Sequence, residues 1–430
     1  MPIRDLLHGS TSLLRFSASY ALGRPSRVLP ALRVAWDVTV RVRRAPILRA
    51  GPELHVAPDE LAAMSSLVSD THVTAPDALP CELELDRGQW PWHEAPDGTG
   101  IAAGLRRVLH RVARDAPRTV IWCGDEVDTG SAVEWARLRA LIDDVPGLSH
   151  RMVPGNHDVA FNRPFYEDHD LTRRAARESA YEAIAGTLHQ FPIVDTLIGD
   201  AASATIVLLD SCRHPSTHVL SNAIGVFGAP QLRRLAAILA RTRGPVLCVA
   251  HHHVWRDPRF TQPDAWFNTA IDADELAALL FAYRRRDPRN HVLVCHGHRH
   301  AMTAGWIDDH HAPRAGAGHH QAPRAGAGHQ APRAGAGHQA PRAGAGHGDA
   351  SIAIVGMPSS TLGDKSLTGQ LDGRLRYAIA GLRADGSWGV ALRDVGALTT
   401  LRTPTGGRRP PTPTAELRAY SLVGAGTGTR

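Results

Sequence analysis

The sequence predicts an α/β fold in which mostly buried strands alternate with helices. Three observations carry this. Seven apolar runs of strand length recur between Met64 and Ser359, stretches of helical length separate several of them, and a final pair of runs flanks a tight-turn signal.

In chain order, the run MSSLVSD (64–70) comes first, followed by a helix at Ile101 to Arg114 and the run TVIWCGD (119–125). A helix at Ser131 to Ile142, the run HRMVPGN (150–156) and a helix at Leu171 to Leu188 come next. Then follow ATIVLLDS (204–211), a helix at Ala229 to Arg241, PVLCVAHHH (245–253), a helix at Ala273 to Arg286, HVLVCHGH (291–298) and SIAIVGMPS (351–359). Apolar runs that alternate with amphipathic helices read as strands buried under helices. The segment RYAIAGLRADGSWGVALRDV (376–395) differs: two runs flank a DGS turn, which predicts a hairpin closing a sheet.

Three regions stand apart from this pattern. Residues 1–60 form an Arg-rich extension, in which Ile3, Leu6, Leu7, Leu13 and Leu14 share one helical face. Two readings stand for that face, peripheral contact with a membrane surface and packing on the body, and the second is favoured. Residues 61–400 form the body, interrupted at about 308–349 by repeats of APRAGAGHQ. That unit offers only Ala to bury, so it reads as a flexible insert, with loose metal binding by its histidines the less favoured alternative. Residues 401–430, rich in Pro, Thr and Gly, read as a disordered tail.

Composition narrows the class. Hydrophobic content of 43% and charged content of 21% describe a globular chain, and 430 residues suffice for a large core. The net charge of +6 is almost wholly arginine and lies partly in the insert and the tails, so nucleic acid is not a favoured partner. Cys81, Cys123, Cys212, Cys248 and Cys295 are odd in number and lack C-x-x-C spacing, which suits a reducing, cytoplasmic compartment. No run reaches the ~18 apolar residues of a membrane span, and no secretory signal is recognisable at the N-terminus. Oligomeric state is left open.

The polar residues at the strand ends carry the chemistry. Asp70 and His72 follow the first run, Asp125 and Asp128 the second, and Asn156 and His157 the third; His251 and His252 end the fifth, and His298 and His300 the sixth. In α/β sheets ligands bind beyond the carboxyl ends of strands, so these residues converge. Carboxylates, imidazoles and an amide oxygen, without thiolate, are a ligand set for hard or borderline metal ions.

The series D-x-H, G-D-x-x-D-x-G, G-N-H-D, H-H and G-H-x-H, spanning Asp70 to His300, resembles the calcineurin-like metallophosphoesterases. LLDSC (208–212) is similar to that family's central strand, and GAPQLRRLAAIL (228–239) to the helix before its H-H strand. The spacing and GNHD look most like the class III cyclic nucleotide phosphodiesterases and glycerophosphodiesterases. His296 and His253 depart from the family pattern, which commonly has a small residue and Pro there.

The resemblance implies a four-layer α/β/β/α sandwich and two divalent or trivalent metal ions (Mn, Fe or Zn). It implies that Asp70, His72, Asp125 and His300 hold the first ion, and that Asp125 bridges to a second held by Asn156, His251 and His298. A metal-bridging hydroxide would then attack a phosphate ester, with a small phosphodiester the favoured substrate. His157 would stabilise the phosphoryl group or protonate the leaving oxygen. Asp128 would orient a ligand or His157, a plain helix N-cap being nearly as good a reading. His252 would contact phosphate or hold its loop, and Arg299 would reach phosphate or point to solvent. A nuclease, a membrane-surface phosphoesterase acting on a lipid-linked phosphate, and a non-catalytic scaffold of the same fold are the alternatives.

Overall fold

The computed structural model describes residues 41–74, 100–115, 119–128, 130–159, 178–180, 182–183, 191–199, 202–213, 224–256, 268–309, 350–364 and 372–397. The N-terminal helix, Cys81, most of the Leu171 to Leu188 helix, the repeats between residues 310 and 349, and the tail lie outside them.

Two sheets stack face to face. The five-stranded sheet has the order β12-β11-β2-β3-β4, where β2 is Ala62–Val68, β3 Thr119–Trp122, β4 Ser149–Met152, β11 Arg374–Leu382 and β12 Trp388–Ala397. The seven-stranded sheet has the order β1-β9-β10-β8-β7-β6-β5. Its members are β1 Arg49–Ala50, β5 Ile193–Ile198, β6 Ser203–Leu208, β7 Val246–Val249, β8 Val292–His296, β9 Thr303–Asp308 and β10 Ser351–Gly356. Strands β2, β3 and β4 run parallel, as do β6, β7, β8 and β10, so their carboxyl ends gather at one edge.

Alternation along each strand explains the continuous apolar runs. In β3, Val120 and Trp122 pack outward with α1 (Ile101–Arg114) and α2 (Ala132–Asp143), while Ile121 faces the other sheet. In β7, Val246 and Cys248 pack against α3 (Ala229–Arg241) and α4 (Ala273–Arg286), while Leu247 and Val249 face inward; β8 and β10 repeat the arrangement. The result is the expected α/β/β/α layering, with three apolar layers and the predicted hairpin at the edge of the smaller sheet. Arg151 of β4 pairs with Asp195 of β5, tying together the outermost strands of the two sheets.

Several features were not read from the sequence. Strands β1, β5 and β9 are short edge or near-edge elements without a continuous apolar run, and β5 alternates between exposed positions and part-buried or buried ones. Val42, Ala45 and Leu54 are buried and β1 pairs with β9, so the chain already joins the body before residue 61. Strand β6, which leads into LLDSC, is second from a sheet edge and not central. Strands β9 and β10, on either side of the repeats, are paired, and Asp309 N–H donates to Ala350 O at 3.3 Å. An insert there joins chain ends that already meet, so its length costs the fold little. Among the described residues no helix is long and apolar enough to cross a membrane.

Candidate metal centre

The carboxyl ends of the parallel strands bring together every candidate residue named above. Asp70, His72 and His300 form one group, and Asp125, His251 and His298 another; each offers ligand atoms within 4.8 Å of one another. His72 Nε2 lies 3.0 Å from His300 Nε2, and His300 Nε2 lies 3.3 Å from Asp70 Oδ1. His251 Nε2 lies 3.0 Å from Asp125 Oδ2, 3.1 Å from Asn156 Oδ1 and 3.1 Å from His298 Nδ1. The other nitrogen of His251 donates to the Cys123 carbonyl at 2.9 Å, which turns Nε2 toward these three atoms. Such a convergence is stable only around positive charge. Burial works against the charged forms, yet His251 and His157 hold the Asp125 carboxyl well below the usual range and Asp125 raises His251 to about 9, so this point draws positive charge, which a proton or a metal ion can supply. The donors present therefore fit metal ions.

The backbone is strained where these side chains start. Six described non-glycine residues adopt positive φ, and five are candidates: Asp70 (50°), His72 (46°), Asp125 (55°), His298 (74°) and His300 (56°). Conformations of this kind cost roughly 1–3 kcal/mol each and persist only where neighbours over-determine them. Asp158 is one such neighbour, unassigned in the sequence reading. Its buried carboxylate accepts from the N–H groups of Asp125 (2.9 Å), Val127 (3.0 Å) and Gly155 (2.8 Å), clamping the GDEVD loop to the GNHD turn. Burial and the neighbouring Asp158 push the Glu126 carboxyl well above the ordinary range.

Gly155 is fixed by what packs against it. It does not adopt positive φ; instead a Cβ there would lie 2.1 Å from Asp125 Oδ1 and 2.2 Å from Asp125 N. Close approach, not turning, requires glycine. Gly155→Ala should therefore lower stability by ~1–3 kcal/mol, as overpacking does. Chemical denaturation will measure this, and an unchanged midpoint would contradict the contact.

His157 donates its backbone N–H to Asp125 Oδ1 at 2.9 Å, and its Nδ1 bonds the Asp128 carbonyl at 2.8 Å. The Asp128 carboxylate lies 3.3 Å from His72 Nδ1 and 3.5 Å from His157 Nδ1. Burial opposes ionisation of Asp128, but the bonds from His157 and His72 outweigh it and hold its pKa far down. The N-cap reading of Asp128 is overturned: Ser131 caps α2, in a capping box with Glu134. His252 is held by Ser211, whose Oγ accepts from His252 N–H at 3.1 Å and shares a 2.8 Å bond with Nδ1; its ring lies 4.5 Å from that of His298. Arg299 is part-buried.

The two departures, His253 and His296, lie in none of the ligand groups. Their rings are 4.1 Å apart, His253 stacks on Trp255, and Trp255 Nε1–H donates to His296 Nε2 at 2.8 Å. Burial keeps both neutral, lowering His296 to about 4 and His253 well below its usual value. They are aromatic packing behind the centre.

The sequence profile described as calcineurin-like phosphoesterase matches residues 67–302. No curated protein sequence matches the chain. Solved structures similar to it include a dimetal phosphatase from Danio rerio, at 14% identity and TM-score 0.41, covering 78% of this chain and 98% of that one. A purple acid phosphatase from yellow lupin (Lupinus luteus) seeds is similar at 13% identity and TM-score 0.37, covering 56% of this chain and 38% of that one. The Thermus thermophilus sulfate thiohydrolase SoxB, in complex with glycerol, is similar at 13% identity and TM-score 0.36, covering 78% and 56%.

Proposed function

Because this chain belongs to the calcineurin-like phosphoesterase family and is a metal-dependent phosphoesterase, we propose that it hydrolyses small phosphodiesters at a centre of two metal ions. Asp70, His72 and His300 would hold one ion and Asn156, His251 and His298 the other, with Asp125 serving both. The observation that carries this reading is the close facing of acceptor atoms, above all His72 Nε2 and His300 Nε2 at 3.0 Å and the three acceptors around His251 Nε2. Mn, Fe and Zn all suit such a nitrogen and oxygen set. When bound, the ions supply a nucleophilic oxygen at neutral pH and neutralise phosphoryl charge.

The chain's own residues supply the rest. Asp125 is the one shared carboxylate, and its charge offsets repulsion between the ions. Asn156 binds through a neutral oxygen, so the second half-site adds less negative charge against the substrate phosphate. His157 commits Nδ1–H to the Asp128 carbonyl, so a proton given to the leaving oxygen is carried on Nε2. Asp128 thereby sets the orientation of both His157 and His72. His252, fixed by Ser211 beside His298, is assigned to the phosphoryl oxygens. The preference for diesters draws on the GNHD sequence and the motif spacing.

Chelation should abolish hydrolysis of bis(p-nitrophenyl) phosphate, and Mn²⁺ should restore it. Full activity in a thoroughly chelated sample would end the metal reading. A panel of mono-, di- and cyclic phosphates tests the finer reading, which a monoester-only profile would overturn.

A further inference from the structure

The tripeptide Asp70–Thr71–His72 carries two strained, fully buried candidate ligands, so its backbone bonds must be accounted for. Its N–H groups face one loop: Asp70 N–H donates to Gly124 O at 2.9 Å and His72 N–H to Asp125 O at 3.0 Å. Its carbonyls face another, the Ser359–Ser360–Thr361 turn beyond β10. Ser359 Oγ–H donates to Asp70 O at 2.6 Å, and Thr361 Oγ1–H donates to Thr71 O at 3.0 Å. Ser360 exchanges two bonds with the preceding residue: its N–H donates to Ser69 O at 2.9 Å, and its Oγ accepts from Ser69 N–H at 3.1 Å. Three consecutive carbonyls thus receive donors from three consecutive residues, all fully buried.

We propose that Ser359 and Thr361 are positioning residues that fix the affinity of the half-site built on Asp70 and His72. The inference rests on the reading of the centre as two metal sites. Without these hydroxyls, Asp70 and Thr71 carry buried carbonyls that lack their donors, and the positive φ of Asp70 and His72 is no longer held from that side. The relaxed backbone then turns both ligands away from the ion. Neither hydroxyl belongs to the ligand set, so the effect passes through backbone geometry alone.

The test is Mn²⁺ titration of the metal-stripped full chain, followed by calorimetry and by the exchange-coupled electron paramagnetic resonance signal of a Mn pair. The parent protein should show two binding events, and Asn156→Ala marks the one belonging to the other half-site. Thr361→Val and Ser359→Ala should each weaken the remaining event roughly 10–100-fold, the usual effect of losing an outer partner of a ligand. The pair signal should fade at sub-saturating metal, and Thr361→Ser, which keeps the hydroxyl, should restore both readouts. Thr361→Val behaving like Thr361→Ser, or both events weakening together, would overturn the inference. If Ser359→Ala does not fold, the two Thr361 variants decide alone; a Thr361→Val that fails to fold beside a folded Thr361→Ser would make the hydroxyl a requirement of the fold and count against the proposal. A parent protein that binds no Mn²⁺ would instead defeat the two-metal reading on which it rests.

Discussion

Asp125→Ala should reduce turnover of a phosphodiester by at least ~10³-fold, more than the loss of any single histidine of the centre. Several kcal/mol of transition-state stabilisation are at stake, at about 1.4 kcal/mol per tenfold. The reason lies in how many parts meet at this carboxylate. Oδ2 lies 3.0 Å from His251 Nε2, and Oδ1 accepts the His157 backbone N–H at 2.9 Å. In the proposed centre, removing it would take a ligand from both half-sites, leave the two ions' repulsion unscreened and free the start of the GNHD turn. Replacing His298 empties one coordination position and leaves the rest of the frame standing. Elemental analysis should therefore find depleted metal in Asp125→Ala. Two tightly held ions in that variant would contradict its shared position.

How much of this was legible in the sequence follows from what each part needs. Buried parallel strands require long apolar runs, and these stand out without any structure: TVIW, VLCV and VLVC are covered on both faces and read as such. Side chains at strand ends were equally visible, because Asp, His and Asn directly after an apolar run have little reason to be there in a packed core. Edge strands were not. A strand such as Ile193–Ile198 needs apolar residues on only one side, and its IVDTLI looks like many loops. The framework around the ligands was the least legible. Asp158 acts by accepting three backbone N–H groups, and Ser359 and Thr361 by donating to backbone carbonyls. Backbone atoms are common to all residues, so no pattern in the side-chain sequence announces which loop will receive a hydroxyl from 290 positions away. Gly155 is hidden for a related reason: it is explained by the carboxylate packed against it, a neighbour distant in sequence.

His157→Ala should slow hydrolysis of alkyl phosphodiesters by ~10²–10⁴-fold, the usual contribution of general acid catalysis where an alkoxide must be protonated as it leaves. The geometry supports a donor and not a ligand. Nδ1 is tied to the Asp128 carbonyl at 2.8 Å, with the Asp128 carboxylate 3.5 Å away to favour the protonated ring. The backbone N–H of the same residue is tied to Asp125, so the imidazole is anchored at both ends of its side chain relative to the centre. A nitrophenolate leaves readily without a proton, so the same variant should lose far less on a nitrophenyl ester. The ratio of the two losses is the measurement, taken with metal content on the same samples. Equal losses with both ions retained would make His157 an electrostatic stabiliser of the phosphoryl oxygens. Loss of metal would move it into the coordination shell, an outcome with a structural basis, since His72, Asp128 and His157 also bring ligand atoms within 4.8 Å of one another. Asp128→Asn separates these cases. It keeps the main-chain carbonyl that holds Nδ1 but removes the charge that favours the imidazolium; because the same carboxylate also lies 3.3 Å from His72 Nδ1, an alkyl-ester loss larger than the nitrophenyl-ester loss, with metal content unchanged, is the result that supports an acid role for His157.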